Sequence, residues 1–213
     1  MAQRRKVNNL LALAVLSVVM TRPMHPYEMA SAMSDWGKDE DMRIKWGSLY
    51  TVVRNLHRHG FLEIADHTRE GGRPERTVYA ITEAGRDETV DWARELVSTP
   101  ETEFPRFKAG LSVLCTLHPE EAAALLHQRL EFLDQAITER RDLLDGHRDE
   151  VPRLFLVESE YDLAMRAAEA EWTRALVAEL TSGTFPGLEQ WRAVHEDGGD
   201  PVDTANEEGM PSG

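Results

Sequence analysis

The spacing of apolar and polar residues predicts three helices near the start of the chain. Residues 7–20 are almost wholly apolar, as in a helix buried on several sides. A second helix begins at Pro26, where a missing N–H costs nothing, and ends near Trp36. A third runs from Ser48, a predicted N-cap, to Gly60, which is placed as a C-terminal cap should be. Its apolar residues are three or four apart and so share one buried face: Leu49, Val52, Val53 and Leu56.

The pattern then changes to the alternation of strands. Residues 61–65 and 77–81 have strand character and are joined by a turn-rich segment with Gly71, Gly72 and Pro74. A fourth helix follows from Thr82 and ends before Pro100. Three helices, a β-hairpin and a linking helix predict a winged helix-turn-helix domain over residues 1–98.

Beyond Pro100 the pattern is helical throughout. We expect a short helix over 104–117, a long one from Pro119 that is interrupted near Gly146, another over 159–181, and a short last helix over 187–194. The long helix carries a heptad-like seam of apolar residues: Leu126, Leu130, Leu133, Ile137 and Leu144. The 159–181 helix is expected to bury one stripe: Met165, Ala168, Trp172, Leu176 and Leu180.

The predicted fold class is therefore mainly α with a small β-hairpin. The winged domain is followed by an all-helical domain over residues 99–194, expected to serve dimerisation and effector binding. The segment 195–213 is acidic, contains Gly and Pro, and has almost nothing to bury, so it is expected to be disordered.

Charge is divided unevenly between the halves of the chain. The whole chain carries a net charge of −14. Residues 1–86 hold 13 Lys and Arg against 10 Asp and Glu, a net of +3, whereas residues 87–213 have a net of −17. An acidic remainder limits indiscriminate adhesion to DNA and leaves binding to a local basic surface.

The polar side of the third helix is the best candidate binding surface. No acidic residue interrupts Gly47 to Leu62, and a helix of this kind fits the major groove of DNA. By residue type, Arg54 suits guanine and Asn55 suits adenine, while the hydroxyl groups suit phosphate. We call this set the reading face: Ser48, Tyr50, Thr51, Arg54, Asn55 and Arg58.

Three arginines flank the tip of the hairpin, namely Arg69, Arg73 and Arg76. They either make the tip soluble or contact phosphates or the minor groove. Their position beside a DNA-reading helix favours the contact, although Glu70 and Glu75 weaken the local positive charge.

Other chemistries receive little support. The sequence has no Gly-x-Ser-x-Gly elbow, phosphate loop, HExxH or nucleotide-binding glycine pattern, so we expect neither an enzyme nor a cofactor. The histidines lack companions at ligand spacing, so no metal site is expected. The single cysteine, Cys115, fits a reducing cytoplasm. The charged and apolar start could be a signal peptide, but no small-x-small cleavage site follows and the apolar run is short, which favours a buried helix.

Four motifs in order resemble the PadR family of bacterial transcriptional regulators. They are Leu10–Leu16, the Met24-His25-Pro26-Tyr27-Glu28-Met29 segment, Gly47-Ser48-Leu49-Tyr50 with Gly60-Phe61-Leu62, and Tyr79-Ala80-Ile81-Thr82-Glu83-Ala84-Gly85. The resemblance covers about residues 8–95. Pro26 replaces the family's usual Gly, and Trp46 stands where relatives commonly have Pro.

This resemblance implies a homodimer, usually a repressor, that binds an inverted repeat in promoter DNA and is released by a small hydrophobic or aromatic compound. Trp92 resembles a position that lines a hydrophobic pocket in some relatives, and it could equally be plain core. Trp46 could pack, touch DNA or line the ligand site.

The 126–144 seam and the apolar first helix together present more apolar surface than one winged domain can bury. This predicts that two chains pair across a two-fold axis. An alternative function is a DNA-tethered protein-interaction module that acts through the acidic helical half.

Overall fold

The computed structural model describes residue 5 and residues 7–38, 42, 46–68 and 76–196, without the side chains of residues 67, 68 and 76. The chain divides into two compact units, residues 1–102 and 103–213. Over the described residues, the first unit has three helices, a β-hairpin and a following helix, and the second is all-helical. The predicted fold class is confirmed.

Helix α1 (Leu10–Val19) is the centre of the first unit. Eight of its ten residues are buried, and it packs against α2 (Pro26–Asp35), α3 (Leu49–Arg58) and the helix after the hairpin. It begins where the Asn9 side chain accepts a hydrogen bond from the Leu11 N–H at 2.8 Å. A helix that is apolar on every side needs such a central position, as the sequence predicted.

Helix α2 begins at Pro26 behind a reciprocal cap. The Nδ1 of His25 accepts from the Tyr27 N–H at 3.1 Å, and the His25 N–H donates to Oε2 of Glu28 at 2.9 Å. The latter hydrogen bond, aided by Arg22 and opposed by burial, lowers the pKa of Glu28. Pro26 in the first turn is therefore compatible with the helix start.

A 3₁₀ turn over Trp46–Ser48 leads into α3, which ends before Gly60. Gly60 has a φ of +80°, which favours glycine. The hairpin follows as β1 (Leu62–Thr68) and β2 (Arg76–Ile81), antiparallel, with Leu62 opposite Ile81 and an irregularity between Ile64 and Asp66. The hairpin is the wing of the domain.

Helix α4 (Glu83–Ser98) is attached tightly to the end of α3. The Thr82 hydroxyl accepts from the Gly85 N–H at 3.0 Å and donates to the Gly60 carbonyl at 2.6 Å. A Cβ at Gly85 would lie 2.2 Å from the Phe61 carbonyl oxygen, so only glycine fits there. These contacts fix the angle between α3, the wing and α4.

The second unit contains α5 (Arg106–Leu111), α6 (Pro119–His147), α7 (Val157–Ser182) and α8 (Leu188–Glu196). Two short 3₁₀ turns cover Leu114–Thr116 and Arg153–Phe155. Three expectations are corrected. The 104–117 segment is not one helix, α6 continues through Gly146, and α8 continues to Glu196, beyond the expected start of the tail. Residues 197–213 lie outside the described part of the chain.

The long helices α6 and α7 pack along each other. The seam of α6 is buried within its own unit: Leu130, Leu133 and Ile137 pack with Ala170 of α7, and Leu126 packs with Leu180 and Leu188. Leu144 is also buried. The argument that this seam needs a second chain to cover it is therefore wrong, because α7 and α8 already cover most of it.

The buried stripe expected on α7 is also wrong in part. Leu180 is buried, but Met165 and Trp172 are about half exposed, at 52% and 51%, and Ala168 is exposed. The residues that α7 buries most are Ala170, Thr173 and Leu180. Small side chains let the two helices approach closely, and the large apolar ones lie outside.

Candidate nucleic-acid interface

The two sides of α3 differ sharply. Its four apolar residues, Leu49, Val52, Val53 and Leu56, are at most 5% exposed. On the reading face, Tyr50 is 58% exposed, Thr51, Arg54 and Arg58 are exposed, and Ser48 and Asn55 are half-buried. The core thus holds one side of the helix and presents the other to solvent.

The positive charge of Arg54 and Arg58 is not neutralised by any residue that the structure describes. Among the described residues, neither Arg54 nor Arg58 forms an ion pair, whereas Arg22 is paired with Glu28 at 3.0 Å. Exposed Glu63 and Asp66 on β1 are the first two acidic residues after α3 along the chain. Guanidinium groups without carboxylate partners are available to phosphate or to base edges.

Ser48 does not act as the predicted N-cap. It lies at the end of the 3₁₀ turn with φ −100° and ψ −5°, and its side chain makes no capping hydrogen bond to α3. An N-cap residue normally has an extended backbone, which the preceding turn excludes here.

Two residues that sequence reasoning missed hold α3 against the wing. His57 Nδ1 lies 2.9 Å from the Leu62 carbonyl oxygen, and its ring meets Tyr79 edge-on at 5.8 Å between centroids. Thr82 bonds to Gly60 at the end of α3. The Thr-Glu-Ala-Gly cap motif was visible in the sequence, but the partner across the turn was not.

Three arginines flank the tip of the hairpin, and one of them begins a described strand. Arg69 and Arg73 lie outside the described residues. The backbone of Arg76 begins β2, and its side chain is not described. Their contact with DNA stays a prediction.

The two tryptophans proposed for an effector lie in different surroundings. Trp46 is 39% exposed in the 3₁₀ turn before α3, whereas Trp92 is 4% exposed on α4 and belongs to the core. The Arg5 guanidinium covers the Trp92 ring, with its carbon 5.3 Å from the ring centroid. Burial would lower the pKa of Arg5, but hydrogen bonds and charge from Glu88 and Glu95 outweigh it and raise that pKa.

Within the second unit, two shallow grooves border α6. One of about 390 Å³ is lined by residues of α6, α7 and α8, including Glu120, His127 and Arg192. The other, of about 510 Å³, runs beside Leu125, Phe132 and Arg129.

Among the described residues, no group of three or more His, Cys, Asp or Glu side chains is arranged to hold a metal ion. No described helix combines the length and apolarity that crossing a membrane requires.

Comparison with known proteins gives a family match over part of the chain and a fold match over most of it. Residues 15–91 match the model of the PadR-like family of transcriptional regulators. Two crystal structures of Bacillus subtilis PadR are 18% identical in sequence, one in complex with operator DNA and one with p-coumaric acid. They cover 80% and 81% of this chain and 99% of their own, with TM-scores of 0.66 and 0.65. The Vibrio cholerae virulence activator AphA is 19% identical, with a TM-score of 0.59, 81% of this chain covered and 98% of its own.

No curated protein matches the chain by sequence. The fold and the exposed polar side of α3 are those of a winged-helix protein, and the family match is specific to residues 15–91. The resemblance inferred from the four motifs is confirmed over residues 15–91, where the chain matches the model of the PadR-like family of transcriptional regulators.

Proposed function

We propose that the protein is a cytoplasmic, homodimeric transcriptional repressor, without enzymatic activity, that binds an inverted repeat in promoter DNA through α3 and the wing. A small hydrophobic or aromatic ligand releases it. The observation that carries this proposal is the pair of exposed arginines on α3, Arg54 and Arg58, without carboxylate partners among the described residues. On the opposite side of the same helix lies the core, so the reading face is held outward.

Relatives of this fold support the two ligands. B. subtilis PadR has been solved with operator DNA and with p-coumaric acid, which is a small aromatic compound. At 18% identity these structures support the fold; the DNA contact is proposed from the residues of α3, and the small ligand from the resemblance to the family. The reading face supplies groups for bases and phosphates, and Trp92 is the proposed effector contact.

An apolar outer face on α6 and α7 supports dimerisation. It comprises exposed residues on two helical stripes: Leu125, Phe132 and Leu143 on α6, and Tyr161, Met165 and Trp172 on α7. Arg129, within the first stripe, is paired with Glu169, within the second, so the stripes adjoin. Phe107 stacks beneath Arg129 at 3.7 Å and meets Trp172 edge-on. Such a clustered apolar surface is typical of an interface between subunits.

The outer face thus replaces the buried seam as the proposed dimer contact. Pairing of two copies about a two-fold axis would present two reading helices to the two halves of an inverted repeat. The residues Leu126, Leu130, Leu133, Ile137 and Leu144 would then support the dimer indirectly, as the core beneath it.

A footprint on the DNA upstream of the protein's own coding sequence tests the main proposal. We expect saturable protection of an inverted repeat, with binding that weakens steeply as salt rises. Adding p-coumaric acid and neutral aromatic compounds tests release. Binding that has no sequence preference at any salt concentration would contradict a specific regulator.

The alternative is a DNA-tethered module that recruits another protein through its acidic helical half, whose net charge is −17 from residue 87 onward. The same outer face would then receive a different partner. A reporter gene under the footprinted promoter separates the outcomes: deletion of the regulator raises expression if it represses, and lowers expression if it recruits an activating factor.

A further inference from the structure

The turn between α6 and α7 exposes large apolar side chains. Leu154 is 74% exposed, Phe155 is 65% exposed and Val157 is 47% exposed, within four consecutive positions of the chain. Single exposed apolar residues are common, but a group of them at one turn is typical of a surface that contacts another molecule. We call these three residues, together with the exposed carboxylates of Asp149, Glu150 and Glu158, the turn patch.

The backbone of this turn is well ordered. The Phe155 N–H donates to the Pro152 carbonyl at 2.9 Å, and the Leu156 N–H donates to the Arg153 carbonyl at 2.9 Å. Leu156 is buried, and the Arg153 guanidinium donates to both carboxylate oxygens of Glu160 at 2.9–3.1 Å. The exposed apolar side chains are therefore held in place before any partner arrives, so binding costs little additional ordering.

The cations beside the turn are paired within the protein. Arg148 Nη1 lies 3.0 Å from Oδ1 of Asp145, and Arg153 Nη2 lies 2.9 Å from Oε2 of Glu160. By contrast, the three carboxylates of the turn patch form no ion pair with any residue that the structure describes. The patch combines apolar surface with uncompensated negative charge, so a complementary partner supplies apolar side chains together with lysine or arginine.

This chemistry decides between possible occupants. Two copies of the chain that met through the same patch would bring like charges together, which opposes their pairing. An anionic lipid surface is repelled for the same reason. A basic amphipathic helix has both of the required features, an apolar stripe and cations on either side of it.

We propose that the turn patch is a docking site for a basic amphipathic helix of another protein. The apolar stripe of that helix covers the three exposed apolar side chains, and its lysines or arginines pair with the three carboxylates. This contact goes beyond DNA binding and does not depend on it. It also uses residues different from those of the outer face, so it gives recruitment of another protein a surface of its own.

The probe is a fluorescein-labelled peptide of about 18 residues, with leucine on one helical face and lysine on the other. A scrambled peptide of the same composition carries the same charge without an apolar stripe. Fluorescence anisotropy with the full chain at fixed salt gives the two dissociation constants. The amphipathic peptide should bind about 10-fold more tightly than the scrambled peptide, as expected when an apolar contact adds to charge attraction.

Removal of the apolar side chains tests the contact directly. Leu154→Ser with Phe155→Ser should weaken binding of the amphipathic peptide about 10-fold and leave binding of the scrambled peptide unchanged. Both residues are exposed, so the variant should keep the helix content of wild type, which circular dichroism measures.

A second pair of variants tests the charge. Glu150→Gln with Glu158→Gln should weaken binding of the amphipathic peptide about 3-fold, the size expected from loss of two exposed ion pairs. Glu121→Gln with Glu179→Gln is the matched control. It removes the same charge from exposed carboxylates at the opposite ends of α6 and α7, and should leave the affinity unchanged.

Equal affinity of wild type and the Leu154 and Phe155 double variant for the amphipathic peptide would overturn the proposal, as would equal losses in the two charge variants. Two other results would also overturn it. If the double variant sediments as a monomer and wild type as a dimer, the patch is a contact between subunits. If wild type binds phosphatidylcholine vesicles and the double variant does not, the patch contacts lipid. These assays contain no DNA, so their outcome is independent of the regulatory role.

Discussion

Arg54 and Arg58 differ from most of the other arginines described in the first unit in having no carboxylate partner among the described residues. Arg22 is paired with Glu28, and Arg94 with Asp91 at 2.8 Å. A pairing would have to be broken before the guanidinium could bind DNA, and these two residues avoid that cost. At the residue scale, these unpaired guanidinium groups on a helix held by the core are the groups we propose to bind DNA.

We expect Arg54→Ala to weaken binding to the specific operator by about 1–3 kcal/mol, since a bidentate contact to a base edge is of that size. A gel-shift titration at fixed salt measures it. Arg94→Ala is the matched control: it removes an exposed arginine of the same unit, on α4, and should leave the affinity unchanged.

The same titration with Arg73→Ala separates base contacts from phosphate contacts. If the wing binds phosphate, the loss should be similar for operator and unrelated DNA, and the slope of log K against log salt should fall by about 1. Identical operator affinity in Arg54→Ala and wild type would contradict the assignment of Arg54.

The reading face could be predicted from the sequence because the helical period alone separates apolar from polar positions. The roles of His57 and Thr82 could not. Each depends on a partner brought close by the turn between α3 and the wing, the Leu62 carbonyl for His57 and the Gly60 carbonyl for Thr82. The contact of Arg5 with the Trp92 ring could not be predicted from local patterns either, because the two residues are far apart in the sequence.

At the element scale, the joint between α3, the wing and α4 depends on one small residue. The space at Gly85 is filled by the Phe61 carbonyl oxygen and by Ile81, whose Cγ1 would be 2.8 Å from an added Cβ. Backbone cannot move aside as the end of a flexible side chain can, so a methyl group there must displace α4 from the wing.

Gly85→Ala should therefore lower the free energy of unfolding by about 1–3 kcal/mol, the usual cost of overpacking. Chemical denaturation followed by circular dichroism measures it. Gly146→Ala is the control, because its added Cβ on α6 meets open space and should stabilise the helix by about 0.5–1 kcal/mol. If the Gly85→Ala protein is as stable as wild type, the joint accommodates a methyl group and the steric argument is wrong.

The faces of α7 show where periodicity stops being informative. Apolar residues seven apart occur on two stripes, one with Leu163, Ala170 and Val177 and one with Met165 and Trp172. Because its side chains are larger, the sequence favoured the second stripe as the buried one. Ala170 instead packs with Leu130, Leu133 and Ile137 of α6, because a small residue lets the helix axes approach, and Thr173 is fully buried. The stripe left outside is the one proposed for the partner subunit.

At the scale of the whole molecule, a dimer contact on the outer face would link subunit pairing to DNA binding. A winged domain alone presents one reading helix to one half-site, and a dimer presents two, so loss of pairing removes the second half-site from the complex. The free energy of the second contact is then lost even though the reading face is unaltered.

Charge placed on the outer face should therefore separate the subunits without unfolding them. Phe132 is 66% exposed and Trp172 is 51% exposed, so Phe132→Glu with Trp172→Glu should give a monomer with wild-type helix content. Analytical ultracentrifugation at micromolar concentration measures the mass. The double variant should bind an inverted repeat no better than a single half-site.

Two control substitutions on α6 distinguish interface from core. Gln135→Glu adds the same charge at an exposed position outside the apolar stripe and should remain dimeric. Leu133→Glu places the charge in the buried seam, where Leu133 is 8% exposed. This variant should unfold the unit, because a carboxylate there has no partner to replace water. If the Phe132 and Trp172 double variant remains dimeric, the subunits pair through a different surface, and the two stripes are then available to another protein.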